Sequence, residues 1–315
     1  MRKFIAAVFA VALTASAALA QSGQAPTLRI VTEDGNRLPA ELMYGNTKVK
    51  PLRLRPGTNV PITIDDSDFF VQQHYVDFLS RFPDQSGFAF WQDEINNCTP
   101  KPGCIEVKRV NVSAAFFVSI EFQNSGYLVY KTHKVAFGNL DGKPVPIRRD
   151  NFMSETRSIS NGIVVGETDW QNKFEANKNA YMLAFVQRGD FQAAFPGAMT
   201  AEQFVDKLFA NALLAPTAGE RNAAIAAFGT GNAAGRAAAL RSVAESQTLH
   251  QAEFNKAFVL AQYFGYLKRD PDALPDVNFN GYNFWLGKLN EFNGNYIQAE
   301  MVKAFINSTE YRTRF

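Results

Sequence analysis

The chain of 315 residues is nearly balanced in charge: 32 Lys+Arg stand against 30 Asp+Glu, and Arg2 and Lys3 at its start supply the small excess. A chain without net positive charge gives phosphate no electrostatic hold, so nucleic acid is excluded as an expected partner. Two cysteines and three scattered histidines (His74, His133, His250) are too few and too dispersed for a zinc centre, and no metal or cofactor is expected.

Residues 1–20, "MRKFIAAVFAVALTASAALA", place two basic residues before a short apolar run and end on Ala18-Leu19-Ala20. This is the pattern of a secretory signal peptide cleaved before Gln21, and the apolar run is short for a bilayer anchor. No later segment is long and apolar enough to span a membrane. The mature chain is therefore expected in the periplasm or outside the cell. In that oxidising setting Cys98 and Cys104, six positions apart around a Pro/Gly turn in "NNCTPKPGCIEV", read as a disulfide, a local pin of about 2 kcal/mol.

Residues 21–65 alternate apolar and polar side chains and are broken by Gly and Pro, which predicts a short β-rich segment. From Ser67 the period becomes helical. Phe70, Val71, Tyr75, Phe78 and Leu79 share one face, with Asp66 or Ser67 as N-cap. A first helical unit is expected over 66–137, then a less regular connector (138–168) leading into a long helix, together 138–199. A degenerate middle unit should occupy 200–250 and a second full unit 251–315. The expected class is mainly α, with helical units behind a small β-rich N-terminal segment.

The two full units share a phrase. Phe70, Val71, Tyr75, Leu79, Arg81, Pro83 and Asp84 match Phe258, Val259, Tyr263, Leu267, Arg269, Pro271 and Asp272 at one constant offset. After a short insertion in the second copy, Gly87, Phe90 and Trp91 match Gly281, Phe284 and Trp285. The tails match through Ser119/Ser308, Glu121/Glu310 and Phe122/Tyr311. In the middle unit Phe204, Val205, Phe209 and Leu213 follow the first-helix pattern, without the turn or the Trp.

Each shared residue has a packing role. The proline ends the first helix. Asp84 or Ser86 caps the next one, and Arg81 pairs with the Asp or with the carbonyl end of its own helix. Gly87 lets the chain pass closely. Phe90 and Trp91 pack the second helix onto the first.

The phrase Tyr-x3-Leu-x-Arg-x-Pro-Asp-x2-Gly-x2-Phe-Trp with its Phe-x2-Ser-x-Glu-(Phe/Tyr) tail resembles the bacterial exoprotein family known as domain of unknown function 4214. That family is similar in fold to the helical phycobilisome linker domain. The resemblance covers roughly 67–124 and 256–314, with the degenerate copy at 200–250, and implies exported helical modules without an assigned activity.

Asp84 with Asp272, or Glu121 with Glu310, could in principle face each other as glycosidase carboxylates. Their repetition is explained by capping and ion pairing instead. Ser119 and Ser308 lack a nucleophile elbow and a nearby His. His74, matched by Gln262, reads as a surface or hydrogen-bonding residue. Asp270, Asp272, Asp276, Asn278 and Asn280 could offer oxygens to calcium, but their spacing departs from that of an EF-hand, so a loop of turn formers is expected. No catalytic constellation is found. The expected function is a structural or interaction module, with another protein or a surface glycan as partner. The competing reading is a carbohydrate-binding or carbohydrate-modifying protein, favoured by the 28 Phe if some aromatic rings stay exposed.

Overall fold

The computed structural model describes residues 28–32, 39–44, 47–50, 52–98 and 103–315, without side chains in the strands. The expected signal peptide and its cleavage site lie outside the described residues, as does most of the loop between the cysteines. Three short strands, β1 (Leu28–Thr32), β2 (Pro39–Tyr44) and β3 (Thr47–Val49), form an antiparallel sheet in that order, with Ile30 opposite Leu42 and Leu42 opposite Val49.

The rest of the chain is mainly helical. Helix α1 (Ser67–His74) continues without a break into a wide π turn, Tyr75–Leu79, and the apolar stripe Phe70, Val71, Tyr75, Phe78 and Leu79 is buried. Asp66 occupies the N-cap position, but its carboxylate does not cap. It accepts from Thr63 N at 2.7 Å and from Arg55 at 2.8 Å instead. Helices α2 (Gln85–Asn96), α3 (Cys104–Val118) and α4 (Ile120–Asn124) follow, and the Cys98–Cys104 bridge joins the first two across a Cα separation of 5.9 Å.

Helix α5 (Gly126–Phe137) is enclosed on all sides, and every residue from Gly126 to Ala136 is buried. An all-round buried helix is normally apolar, yet α5 carries Lys131, His133 and Lys134. Two of the three find polar partners at once. His133 Nε2 meets Glu155 at 2.9 Å, and Lys134 Nζ donates to Asn139 at 2.7 Å. Lys131 stands over the Tyr127 ring at 4.5 Å, and burial lowers its ammonium to about 8.

The stretch expected to be irregular, 138–168, contains helix α6 (Arg149–Ser160), whose Phe152, Met153 and Ile159 face inward. Its polar composition hid a stripe with helical spacing. Helices α7 (Trp170–Val186), α8 (Gly189–Ala194), α9 (Ala201–Asn211), α10 (Ala218–Phe228) and α11 (Ala233–Ala244) follow; α8, α9 and α11 pack on α5, α7 meets it where Phe185 touches His133, and α10 packs on α9 and α11. Thr200 and Thr217 each start a helix with a reciprocal capping box.

Helix α12 (Gln247–Gln262) again runs on into a π turn, Tyr263–Leu267. Helices α13 (Asn280–Glu291), α14 (Met301–Asn307) and α15 (Thr309–Arg312) close the chain. Among the described residues no helix is long and apolar enough to cross a membrane.

One expectation in the middle stretch is corrected. Leu213 was aligned with the buried Leu79, but it is 86% exposed and left-handed, with φ +60°. The left-handed residue that ends the first helix elsewhere is Ser80 (φ +54°) or Lys268 (φ +57°), one place further along. A π turn adds one residue to a helical turn, and α9 has none. Leu214 N accordingly reaches back to Phe209 O, whereas Arg81 N and Arg269 N reach one residue further, to Tyr75 O and Tyr263 O.

Candidate functional site

The residues of the shared phrase gather at two helix junctions, and a pocket opens at each. The first junction is built from the end of α1. Ser80 turns the chain in the left-handed conformation, and Pro83 precedes the extended Asp84, where a new helix begins. The Asp84 Oδ1 atom accepts from Gly87 N and Ser86 Oγ, both at 2.8 Å, which makes Asp84 the N-cap of α2. Burial opposes ionisation of Asp84, but these bonds outweigh it and hold the carboxyl below its ordinary value.

Arg81 reaches across to the third and fourth helices. Its Nε donates to Glu121 Oε1 at 2.9 Å and its Nη2 to Oε2 at 2.8 Å, a two-toothed fork on a nearly buried carboxylate. The same guanidinium lies 4.9 Å over the Tyr75 ring and only grazes Asp84, at 3.4 Å. Burial lifts the Glu121 carboxyl above its ordinary value even with the guanidinium upon it. Ser119 accepts from Phe122 N at 3.1 Å and so caps α4. Phe116 fills the space between, 5.0 Å from the Tyr75 ring and 5.6 Å from Trp91.

The second junction repeats these contacts with different numbers. Arg269 Nε donates to Glu310 Oε1 at 2.5 Å, Nη2 to Oε2 at 3.0 Å, and the guanidinium stands 5.4 Å over Tyr263. Ser308 accepts from Tyr311 N at 3.1 Å and caps α15. Phe305 lies 5.3 Å from Tyr263 and 5.8 Å from Trp285. Gly87 and Gly281 have the same neighbour: a Cβ on either would collide with the hydroxyl of Tyr75 or Tyr263. Burial pushes both phenols up to about 12.

Two expected placements are corrected. Asp272 does not take the role of Asp84. It is drawn away by Lys143, at 2.6 Å, and by Arg148, whose hydrogen bond holds the carboxyl down to about 2. The insertion after Pro271 brings Asp276 to the junction instead, 2.8 Å from Arg269 Nη2. Phe90 does not pack inward either. Phe88, Trp91 and Ile95 form the inner stripe of α2, leaving Phe90 55% exposed, and Phe284 is 56% exposed on α13.

His74, expected at the surface or in a hydrogen bond, is 1% exposed and fully engaged. Its Nδ1 donates to Phe70 O at 2.8 Å and its Nε2 accepts from Ser113 Oγ at 2.7 Å. The loop considered for calcium spends its carboxylates on protein donors. Asp270 accepts from Arg149 N at 3.0 Å, and Asn278 Oδ1 accepts from Asn280 N at 2.8 Å. Among the described residues no group of three or more His, Cys, Asp or Glu is arranged to hold a metal ion.

Sequence reasoning passed over three buried charged centres. Asp77 is forked by Arg314, Glu155 gathers His133, Tyr181 and Arg188, and Glu253 accepts from Tyr130. Gln73 and Lys256 lie one turn from Asp77 and Glu253, but the other partners come from distant helices, which no local pattern marks.

The first pocket encloses about 320 Å³ and the second about 260 Å³. Each has an aromatic floor and wall (Tyr75, Phe116 and Trp91, or Tyr263, Phe305 and Trp285) and one guanidinium between two carboxylates. Set beside protein-family models, characterised proteins and solved structures, the chain matches none of them.

Proposed function

We propose that the protein is an exported, non-catalytic interaction module, made of two helical units of the domain-of-unknown-function-4214 kind around a degenerate middle unit. In this reading the leader is removed after Ala20 and a small β-rich segment precedes the helical body. The observation that carries it is the likeness of the two junctions: tyrosine, arginine, glycine, tryptophan and glutamate meet in the same way at both, while the aspartate beside the arginine caps the next helix at the first junction only.

The packing of the halves supports duplication as well. Phe78 and Tyr266 hold corresponding places in the two π turns, and their rings meet edge to face at 4.9 Å. The corresponding helices α3 and α14 also touch. Counterparts in mutual contact are what a two-fold arrangement of like units produces.

An interaction role is supported by the state of the carboxylates. Glu121 and Glu310 are each forked by a guanidinium, and Asp84 is spent on a helix cap, so the acid–base groups already serve the fold.

The test has two arms. Bacterial cells expressing the full chain are fractionated, and the protein is examined by intact mass. A chain starting at Gln21 in the periplasm or medium supports the reading, and an uncleaved cytoplasmic chain contradicts export. The purified mature protein is then incubated with polysaccharides and peptides. Retention without released fragments supports a binding role, and release of reducing ends or new termini contradicts it.

A further inference from the structure

We infer that each junction pocket binds one ring of a neutral hexopyranose, so that the chain carries two separate sugar-binding sites. The inference rests on the interaction-module reading and specifies its ligand. The apolar part of each pocket suits the face of a pyranose. The indole of Trp91 lies 4.8 Å from the exposed Phe90 ring, and Trp285 lies 5.0 Å from the exposed Phe284 ring. Phe90 lines the first pocket beside Trp91, whereas Trp285 lines the second without Phe284; an aromatic ring on a pocket wall gives a flat apolar surface at low entropic cost, onto which the C–H face of a sugar stacks.

The polar part suits hydroxyls and disfavours acids. Each pocket sets one guanidinium against two carboxylates, Arg81 with Asp84 and Glu121, and Arg269 with Asp276 and Glu310. Both guanidinium forks are occupied by glutamate, so a uronate or sialate carboxylate would meet excess negative charge and no free fork. Carboxylates have about four acceptor positions each. Asp84 Oδ2 has only a long contact with Arg81, at 3.4 Å, and Asp276 accepts from Arg269 through Oδ2 alone, leaving positions for hydroxyl donors.

Size narrows the choice further. The first pocket, about 320 Å³, lies at the small end of ligand sites, and the second, about 260 Å³, falls just below them, since such sites run from about 300 to 1,000 Å³. They hold a single ring rather than a buried chain.

The tryptophans allow a direct test, because two of the three in the chain, Trp91 and Trp285, line the pockets, and Trp170 on α7 is an internal control. Indole ¹H–¹⁵N spectra of the mature protein are recorded with maltohexaose, cellohexaose and chitohexaose, and with oligogalacturonate as the acidic comparator. The result expected is that the Trp91 and Trp285 signals move with at least one neutral hexasaccharide, that Trp170 stays in place, and that oligogalacturonate moves neither pocket signal.

Phe90→Ala, a change at an exposed ring, should weaken the Trp91 response about tenfold, the effect of one lost ring contact. In the same sample the Trp285 response should be unchanged, which also reports that the fold is intact. No shift with any neutral sugar, equal shifts at all three indoles, or an unchanged response in Phe90→Ala overturns the inference. A pooled random heptapeptide library that moves the two pocket signals when sugars do not overturns the sugar and leaves the interaction module standing. If neither class moves them, both readings fall.

Discussion

Arg314 forks the carboxylate of Asp77, with Nη1 and Nη2 each 2.9 Å from an oxygen, so a residue next to the C-terminus neutralises a charge buried in the first π turn. Lys268 adds a third contact at 3.0 Å, and Arg314 Nη1 also donates to Tyr266 O at 2.7 Å. Burial opposes ionisation of Asp77, but Arg314 and Lys268 outweigh it and hold the carboxyl well below the usual range. Arg314→Ala leaves that charge with Lys268 and with the Gln73 amide, at 2.9 Å, and should cost about 3 kcal/mol in urea unfolding. Asp77→Asn in the Arg314→Ala background should recover part of the loss. Equal stability of Arg314→Ala and the parent would show that the fork contributes nothing.

The close approach of glycine to tyrosine at each junction gives a second test. Gly87→Ala sets a methyl against the Tyr75 hydroxyl and should destabilise by about 1–3 kcal/mol, the usual range for overpacking. Tyr75→Phe removes the colliding oxygen, so the double variant should be more stable than Gly87→Ala alone. The melting temperatures of the four proteins decide it, and additive losses would contradict the contact.

His74 makes stability depend on pH. Burial holds its imidazole down to about 4, against nearby Asp77, which favours the charged form, and Arg109 and Arg314, which disfavour it. The folded protein keeps the ring neutral, and the unfolded chain takes up a proton below its ordinary value of about 6.5. The contribution is therefore fully present above pH 6.5 and is lost as pH falls toward 4, up to about 3 kcal/mol. His74→Gln should flatten this slope between pH 7 and pH 5. Glutamine suits the place, because Gln262 holds the corresponding position and donates to Phe258 O at 3.2 Å as His74 does to Phe70 O. An unchanged slope would remove His74 as its source.

The Cys98–Cys104 bridge closes a short loop between α2 and α3. Replacing both cysteines by serine should cost about 2 kcal/mol by the loop-entropy relation. Helical circular dichroism should be retained, because the bridge pins one corner of a body held by a large apolar core. Loss of helical signal in the serine variant would show a larger role.

Features encoded within one helical turn were readable beforehand. The stripe Phe70-Val71-Tyr75, the stop at Pro83 and the cap at Asp84 each depend on neighbours a few residues away. The Arg81–Glu121 fork joins residues forty positions apart and needs the folded junction to be seen. Asp272 was misassigned because an insertion changes which aspartate reaches Arg269, and Leu213 because a π turn leaves no compositional trace. The burial of Lys131 and Lys134 on α5 depends on helices that come from elsewhere in the chain.

The arginine–glutamate forks join helices at both junctions. Their most direct test is a pair of double-mutant cycles by urea unfolding, Arg81→Met with Glu121→Gln and Arg269→Met with Glu310→Gln. A favourable coupling above about 1 kcal/mol is expected in both cycles. Coupling within about 0.3 kcal/mol of zero in both would mean that the forks do not hold the fold.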